Sequence, residues 1–168
     1  MEKETTITKL EKGRAEFAYR CAEEGKKITS NIQIDGEWYK DDKYKSYVKK
    51  IPSMILSNGL GQTLAFVVSK RQKPKKKDRQ THNPGLPENP KNAYDLIYKQ
   101  LKKYMESEHT IRITPKDKKE LIEKNDFVEW VISCNSAKYR YITQEILALL
   151  NWLKRFAEGL IEGEEEGE

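Results

Sequence analysis

Apolar residues recur along most of this chain at spacings of three and four, which gathers them on one face of an α-helix. The strongest run is Ile142, Ile146, Leu149, Leu150, Leu153, Phe156 and Leu160, and it predicts a long amphipathic helix. Near the start, Leu10, Phe17 and Cys21 share a face behind Thr8-Lys-Leu-Glu11. That tetrad has the capping-box pattern, in which a threonine and a glutamate three residues on satisfy orphan amides at a helix start. A helix over about 6–24 is predicted, with Gly25 as its stop. Residues 26–42 are mixed, with Ile28, Ile32 and Ile34 alternating before Asp35-Gly36, and read as a loop or one short extended piece.

From Tyr44 the positions Tyr44, Val48, Ile51, Ile55 and Leu56 again keep helical spacing. Pro52 falls inside them and lacks the amide donor, so it kinks the helix or starts a second one. Asn58-Gly59 ends the run, and Leu64, Ala65, Phe66, Val67 and Val68 supply another helix beyond a glycine corner. Asn89-Pro90 is a start signal ahead of Ala93, Tyr94, Ile97, Leu101, Tyr104 and Met105. Thr114-Pro115-Lys-Asp117 repeats that signal before Leu121 and Ile122. Asp126 with Glu129 opens a helix carrying Phe127, Trp130, Val131 and Cys134. No segment has the alternation of a hairpin. The expected fold is all-α, a compact bundle of about six or seven helices with one long basic loop.

That loop is residues 71–89. Residues 70–79 hold seven positive charges and one negative, and Pro84, Gly85, Pro87 and Pro90 follow. Like charges repel and prolines remove donors, so a flexible excursion is predicted there. The 168 residues, 36% of them hydrophobic, suffice for one core. The expected organisation is a single helical domain over 1–158 and an acidic, disordered tail over 159–168.

Charge changes the picture more than composition does. The chain has 32 Lys+Arg and 27 Asp+Glu, a net charge of +5. From position 158 onward there are six glutamates and no basic residue, so residues 1–157 carry +11. Such a body suits a polyanionic partner. No apolar stretch approaches the roughly 20 residues that span a bilayer, and the first residues lack a signal-peptide core, so a cytoplasmic protein without a membrane partner is expected.

Chemistry is sparse. Cys21 and Cys134 are far apart with no histidine near, which suggests neither a disulfide framework nor a zinc site; both read as small buried apolar residues. His82 and His109 fall in or beside predicted loops and read as surface histidines. No hydrolase, zincin or phosphate-loop motif occurs, and Gly59-Leu-Gly61 is too short for a dinucleotide fingerprint. Most carboxylates sit at caps, in the tail or three to four residues from a Lys or Arg. No catalytic residue, metal ligand or cofactor is assigned.

The positive signal is basic residues interleaved with aromatics: Tyr39-Lys40, Lys43-Tyr44-Lys45-Ser-Tyr47-Val-Lys49-Lys50 and Lys138-Tyr139-Arg140-Tyr141. Lysines bind phosphates as point charges, while tyrosine rings either stack on unpaired bases or pack at the core boundary. Lys45, Lys49, Lys50, Lys70, Arg71, Lys138, Arg140, Lys154 and Arg155 are the candidates for contact with a nucleic-acid backbone, from their clustering on predicted helices in the basic body.

Three blocks resemble a known family. They are Arg14-Ala-Glu-Phe-Ala-Tyr19, then Lys45-Ser-Tyr-Val-Lys-Lys-Ile-Pro-Ser-Met-Ile-Leu-Ser-Asn-Gly-Leu-Gly-Gln-Thr-Leu-Ala-Phe66, and Tyr141-Ile-Thr-Gln-Glu-Ile-Leu-Ala-Leu-Leu-Asn-Trp-Leu-Lys-Arg-Phe-Ala157. Together they resemble the small helical subunit of the type III-B CRISPR RNA-silencing (Cmr) complex. The resemblance implies a non-catalytic subunit in antiviral defence, present in more than one copy. Its implied partners are a backbone subunit, further copies of itself, CRISPR RNA and target RNA, with a basic face along the RNA duplex. Two rivals remain open from the residues alone: a stand-alone DNA-binding protein using the Gly59 corner as a helix-turn-helix, and a metal-dependent nuclease built from scattered carboxylates.

Overall fold

The computed structural model describes residues 5–29, 42–71, 90 and 92–162. The predicted basic loop beyond Arg71, the Asn89 start signal, His82, Tyr39, Lys40 and the acidic residues from 163 onward lie outside them. The described residues form seven α-helices: α1 (Thr6–Thr29), α2 (Tyr44–Asn58), α3 (Leu60–Lys70), α4 (Ala93–Glu106), α5 (Pro115–Lys124), α6 (Phe127–Ile132) and α7 (Ser136–Leu160). No strand occurs among the described residues. The all-helical expectation holds.

Short polar side chains set most of the helix starts. Asn92, Thr114, Asp126 and Asn135 accept hydrogen bonds from the amides of Asp95, Asp117, Glu129 and Lys138, at 2.8, 3.1, 3.1 and 2.9 Å. Pro90 is buried but precedes α4, so the helix opens at Ala93 with Asn92 as its cap. At the first helix the expected cap is displaced by three residues. The Thr5 hydroxyl accepts from the Thr8 amide at 3.1 Å, which leaves Thr8 inside the helix.

Two further expectations change. Helix α1 does not stop at Gly25 but continues to Thr29, so Ile28 belongs to the helix and is fully buried. Gly25 is present for space, because a Cβ there would lie 2.0 Å from the Tyr44 ring. Helix α2 crosses Pro52 as one helix, and no second helix starts there. Val48, Ile51 and Ile55 are buried on either side, and their packing offsets the hydrogen bond that proline cannot donate. The glycine corner is as expected. Gly59 alone joins α2 to α3, with φ at +86°, a backbone conformation that favours glycine.

Helices α1 and α2 both pack on α7 and touch each other. Helix α4 closes the bundle against α1, α2 and α3, and α5 and α6 pack against α4 and α3. One apolar cluster runs through all seven helices, with Tyr44, Tyr104, Phe127, Leu101 and Ile142 among its fully buried side chains. Burial of each such side chain contributes roughly 1.5–3 kcal/mol. Buried Gln100, Thr63 and Thr110 all find partners. Gln100 accepts from the Tyr44 hydroxyl at 2.6 Å and donates to the Cys21 carbonyl and the Glu24 carboxylate, both at 3.0 Å. Thr63 and Thr110 donate to the carbonyls of Gly59 and Met105.

A polar network ties α1, α4 and α7 together. The Arg14 guanidinium donates to Tyr104 at 3.1 Å and to both Glu145 oxygens at 3.2 and 3.0 Å, while the Tyr104 hydroxyl donates to Glu145 at 2.7 Å. Burial opposes the Arg14 charge, but Tyr104 and Glu145 outweigh it and hold the guanidinium firmly protonated. Glu11 extends the network by pairing with Arg14 and accepting from the Trp152 indole at 3.1 Å. His109 is half-buried and stacks on Tyr104, against the surface position expected of it. Gly13 makes room for it, since a Cβ there would fall 2.6 Å from the imidazole Nδ1.

Candidate nucleic-acid interface

Two of the nine basic candidates reach across the seam between α2 and α7. The Lys45 ammonium donates to the Ile161 carbonyl at 3.3 Å, and Lys49 lies 3.5 Å from a Glu158 oxygen. These contacts run α2 antiparallel to the last turns of α7. Lys154 stands one helical turn before Glu158 on the same face of α7, and Arg155 is its exposed neighbour. The seam therefore presents Lys45 and Lys49 from α2, with Lys154 on the Glu158 face of α7.

Lys50 and Lys70 meet elsewhere, over one aromatic ring. Their ammonium groups lie 5.4 and 5.6 Å from the Phe66 ring centroid, within the range of a cation–π contact. Phe66 meets the edge of Tyr94 at 5.7 Å, and Tyr94 stacks on Tyr47 at 3.8 Å. This platform of Phe66, Tyr94 and Tyr47 was not identified as a unit from the sequence. Its signal was there in the matching helical spacing of Tyr47 and Lys50, but the partner tyrosine comes from α4.

The remaining candidates are separate. Arg71 is 2.8 Å from the buried Asp95 carboxylate and 3.8 Å above the Tyr98 ring, and Lys99 reaches the same carboxylate at 3.3 Å. Its guanidinium thus closes the α3–α4 corner, where Asn92 also donates to the Lys70 carbonyl at 2.6 Å. Lys138 pairs with Asp117 at 3.0 Å and ties α7 to α5, while Arg140 is exposed two residues on. Burial pushes the Asp117 carboxyl up, but the hydrogen bonds it accepts from Lys138 and Thr114 outweigh it and hold it below the ordinary range.

The tyrosines of the basic runs are engaged within the protein. Tyr44 is fully buried, and burial raises its hydroxyl pKa. Tyr139 accepts from the Gly61 amide at 2.8 Å, and Tyr141 accepts from the Arg112 amide at 3.3 Å. Tyr44 packs in the core, and Tyr47, Tyr139 and Tyr141 pack at its boundary.

The chemistry of the other polar groups is tied up in the same way. Glu145, Asp95 and Asp117 each hold a cation, and among the described residues no group of three or more His, Cys, Asp or Glu is arranged to hold a metal ion. Cys21 is buried, and burial raises its thiol pKa, whereas Cys134 is only half-buried and donates to the Trp130 carbonyl. The α2–α3 connection is Gly59 alone, shorter than the three- or four-residue turn of a helix-turn-helix. No helix among the described residues is long and apolar enough to cross a membrane.

The family model described as CRISPR-associated protein (Cas_Cmr5) matches residues 10–160. The chain belongs to that family. It is a Cmr-type small subunit of the type III-B CRISPR complex, as its sequence blocks suggested. The Cas_Cmr5 match takes in six helices whole and all of α1 beyond its first four residues, so Lys45, Lys49, Glu158 and the Phe66 platform fall within the matched span. All nine basic candidates lie within it.

Proposed function

We propose that this Cas_Cmr5 chain is a non-catalytic structural subunit that stacks with further copies of itself beside a backbone subunit and holds guide and target RNA along a basic face. The observation that supports the RNA part is the placement of Lys45 and Lys49 at the α2–α7 seam, with Lys154 on the same face of α7 as Glu158. Cations at that spacing neutralise successive phosphates without reading bases, which is what a subunit serving any guide sequence requires. Lys50 and Lys70 at Phe66 extend the same charge along α2 and α3. The proposal includes no chemistry of its own: the chain's carboxylates brace helices, and its role is to place charge and surface.

Co-purification tests the assembly. A tagged chain expressed in its native host is expected to bring down other CRISPR-associated proteins and small RNAs in stoichiometric amounts. Recovery of the chain alone, or with duplex DNA, would overturn the proposal. Incubation of the purified chain with RNA and Mg²⁺ or Mn²⁺ is expected to leave the RNA intact; cleavage abolished by one Asp or Glu substitution would revive the nuclease reading.

A further inference from the structure

Lys99 stands three and four residues before Lys102 and Lys103, so the three lysines share one face of α4. With Arg71 at the end of α3 and Asn125 at the end of α5, they line a cavity of about 260 Å³. Among the described residues, none of the lysines of the α2–α7 seam borders it. Glu24 and Glu106 also stand in its wall, but both carboxylates are engaged: Glu24 accepts from Gln100 at 3.0 Å, and Glu106 pairs with Lys102. The donors are not used up in the same way. Arg71 donates to Asp95 through Nε alone, and its two terminal nitrogens make no hydrogen bond among the described residues. A guanidinium carries five N–H donors, so the four terminal ones remain for a ligand. The Tyr98 ring, 3.8 Å from the guanidinium carbon, fixes the plane in which they lie. Lys103 forms no salt bridge, and the Asn125 side chain no hydrogen bond, again among the described residues.

We propose that this cavity binds a phosphate monoester, carried by a small molecule or by an RNA terminus, with the terminal N–H groups of Arg71 and the Lys103 ammonium on its oxygens and the Asn125 amide as a neutral donor. Three considerations favour that ligand. The guanidinium fork matches the oxygens of a phosphate two at a time, which a carbonyl or hydroxyl ligand does not offer. A monoester carries about −1.5 to −2 at neutral pH, against one negative charge on an internal phosphodiester, and so draws more from a wall of several cations. Size sets the rest: small-ligand pockets begin at about 300 Å³, so a cavity of about 260 Å³ suits a phosphoryl group with the sugar next to it and not a stretch of duplex. The site is therefore separate from the basic seam in both its residues and its ligand. An anion held there links α4 to the ends of α3 and α5.

The test titrates the ¹⁵N-labelled full chain with inorganic phosphate at constant ionic strength, set with KCl. The Arg71 Nε–H and Asn125 side-chain signals are expected to shift saturably, with a midpoint of about 1 mM. Arg71→Lys keeps a charge beside Asp95 and removes the fork, and Lys103→Gln removes an exposed cation that braces no other helix by a salt bridge. Each is expected to weaken phosphate binding about tenfold, and Lys103→Gln to leave the thermal midpoint of the chain without phosphate unchanged. Shifts that never saturate, or an affinity that Lys103→Gln leaves unaltered, would overturn the site. Uridine 5′-monophosphate, a 5′-phosphorylated oligouridine and its 5′-hydroxyl form then separate the sources of the phosphate. Tighter binding of the monophosphate than of the phosphorylated oligomer identifies a small-molecule ligand, and the reverse order an RNA terminus. Binding of the 5′-hydroxyl oligomer at these signals as tightly as the phosphorylated one would overturn the monoester.

Discussion

The Tyr44 ring of α2 occupies the space where a side chain on Gly25 of α1 would stand, 2.0 Å from the ideal Cβ position. Tyr44 has no freedom to retreat, because its hydroxyl bonds Gln100 at 2.6 Å and it is fully buried. Alanine in place of a mid-helix glycine ordinarily stabilises by up to about 1 kcal/mol. Here overpacking reverses the sign. Gly25→Ala is expected to destabilise the fold by about 1–3 kcal/mol in urea denaturation, and a rise in midpoint would contradict the packing.

The Arg14–Glu145–Tyr104 network predicts coupling. Arg14 and Glu145 side chains are each only 12% exposed. Arg14→Met removes the cation that faces the part-buried Glu145 carboxylate and is expected to cost about 2 kcal/mol. The Arg14→Met, Glu145→Leu double variant is expected to recover part of that loss, with a coupling energy of about 1 kcal/mol or more in a double-mutant cycle. Strict additivity would show that the pair does not act as a unit.

Tyr139 supplies the oxygen that the Gly61 amide needs at the start of α3. Tyr139→Phe removes that acceptor with little change in shape, and a stability loss of about 1 kcal/mol is expected. Exchange of the Gly61 amide with solvent should also accelerate. Unaltered exchange would indicate that water takes over the role at no cost.

Asp117 gives the pH dependence. Its folded pKa is lowered from the ordinary 3.8, so its contribution to stability is present above that value and fades as pH falls through the lower folded value. The thermal midpoint of Asp117→Asn is expected to lie below that of the parent at pH 7, with the gap shrinking below about pH 4. A gap that grew on acidification would give the wrong sign for a Lys138-paired carboxylate.

Much of this fold is legible in the sequence because the signals are local. Thr114, Asp126 and the Asn58-Gly59 corner declare themselves through caps and a left-handed glycine, interactions spanning three or four residues. What the sequence conceals is contact between distant segments. Gly25 reads as a stop until Tyr44 is seen against it, and Pro52 reads as either a kink or a second start until α2 is seen to run through it as one helix. The site divides in the same way. Lys45 and Lys49 are adjacent on any helical wheel, but their meeting with Ile161 and Glu158 depends on how α2 lies against α7. Arg71 reads as one more positive charge until Asp95 and Tyr98, more than twenty residues away, are found around its guanidinium.

The central claim is that the basic face on α2 and α7 holds RNA phosphates within the assembled complex. The slope of log affinity against log salt counts those contacts directly, because each one lost lowers it by about 0.7 for a single strand and about 0.9 for a B-DNA-like duplex. Lys45→Glu with Lys49→Glu in the reconstituted complex is expected to weaken target-RNA binding at low salt and to reduce the slope by about 1.4–1.8. An unchanged affinity with an unchanged slope would contradict the account.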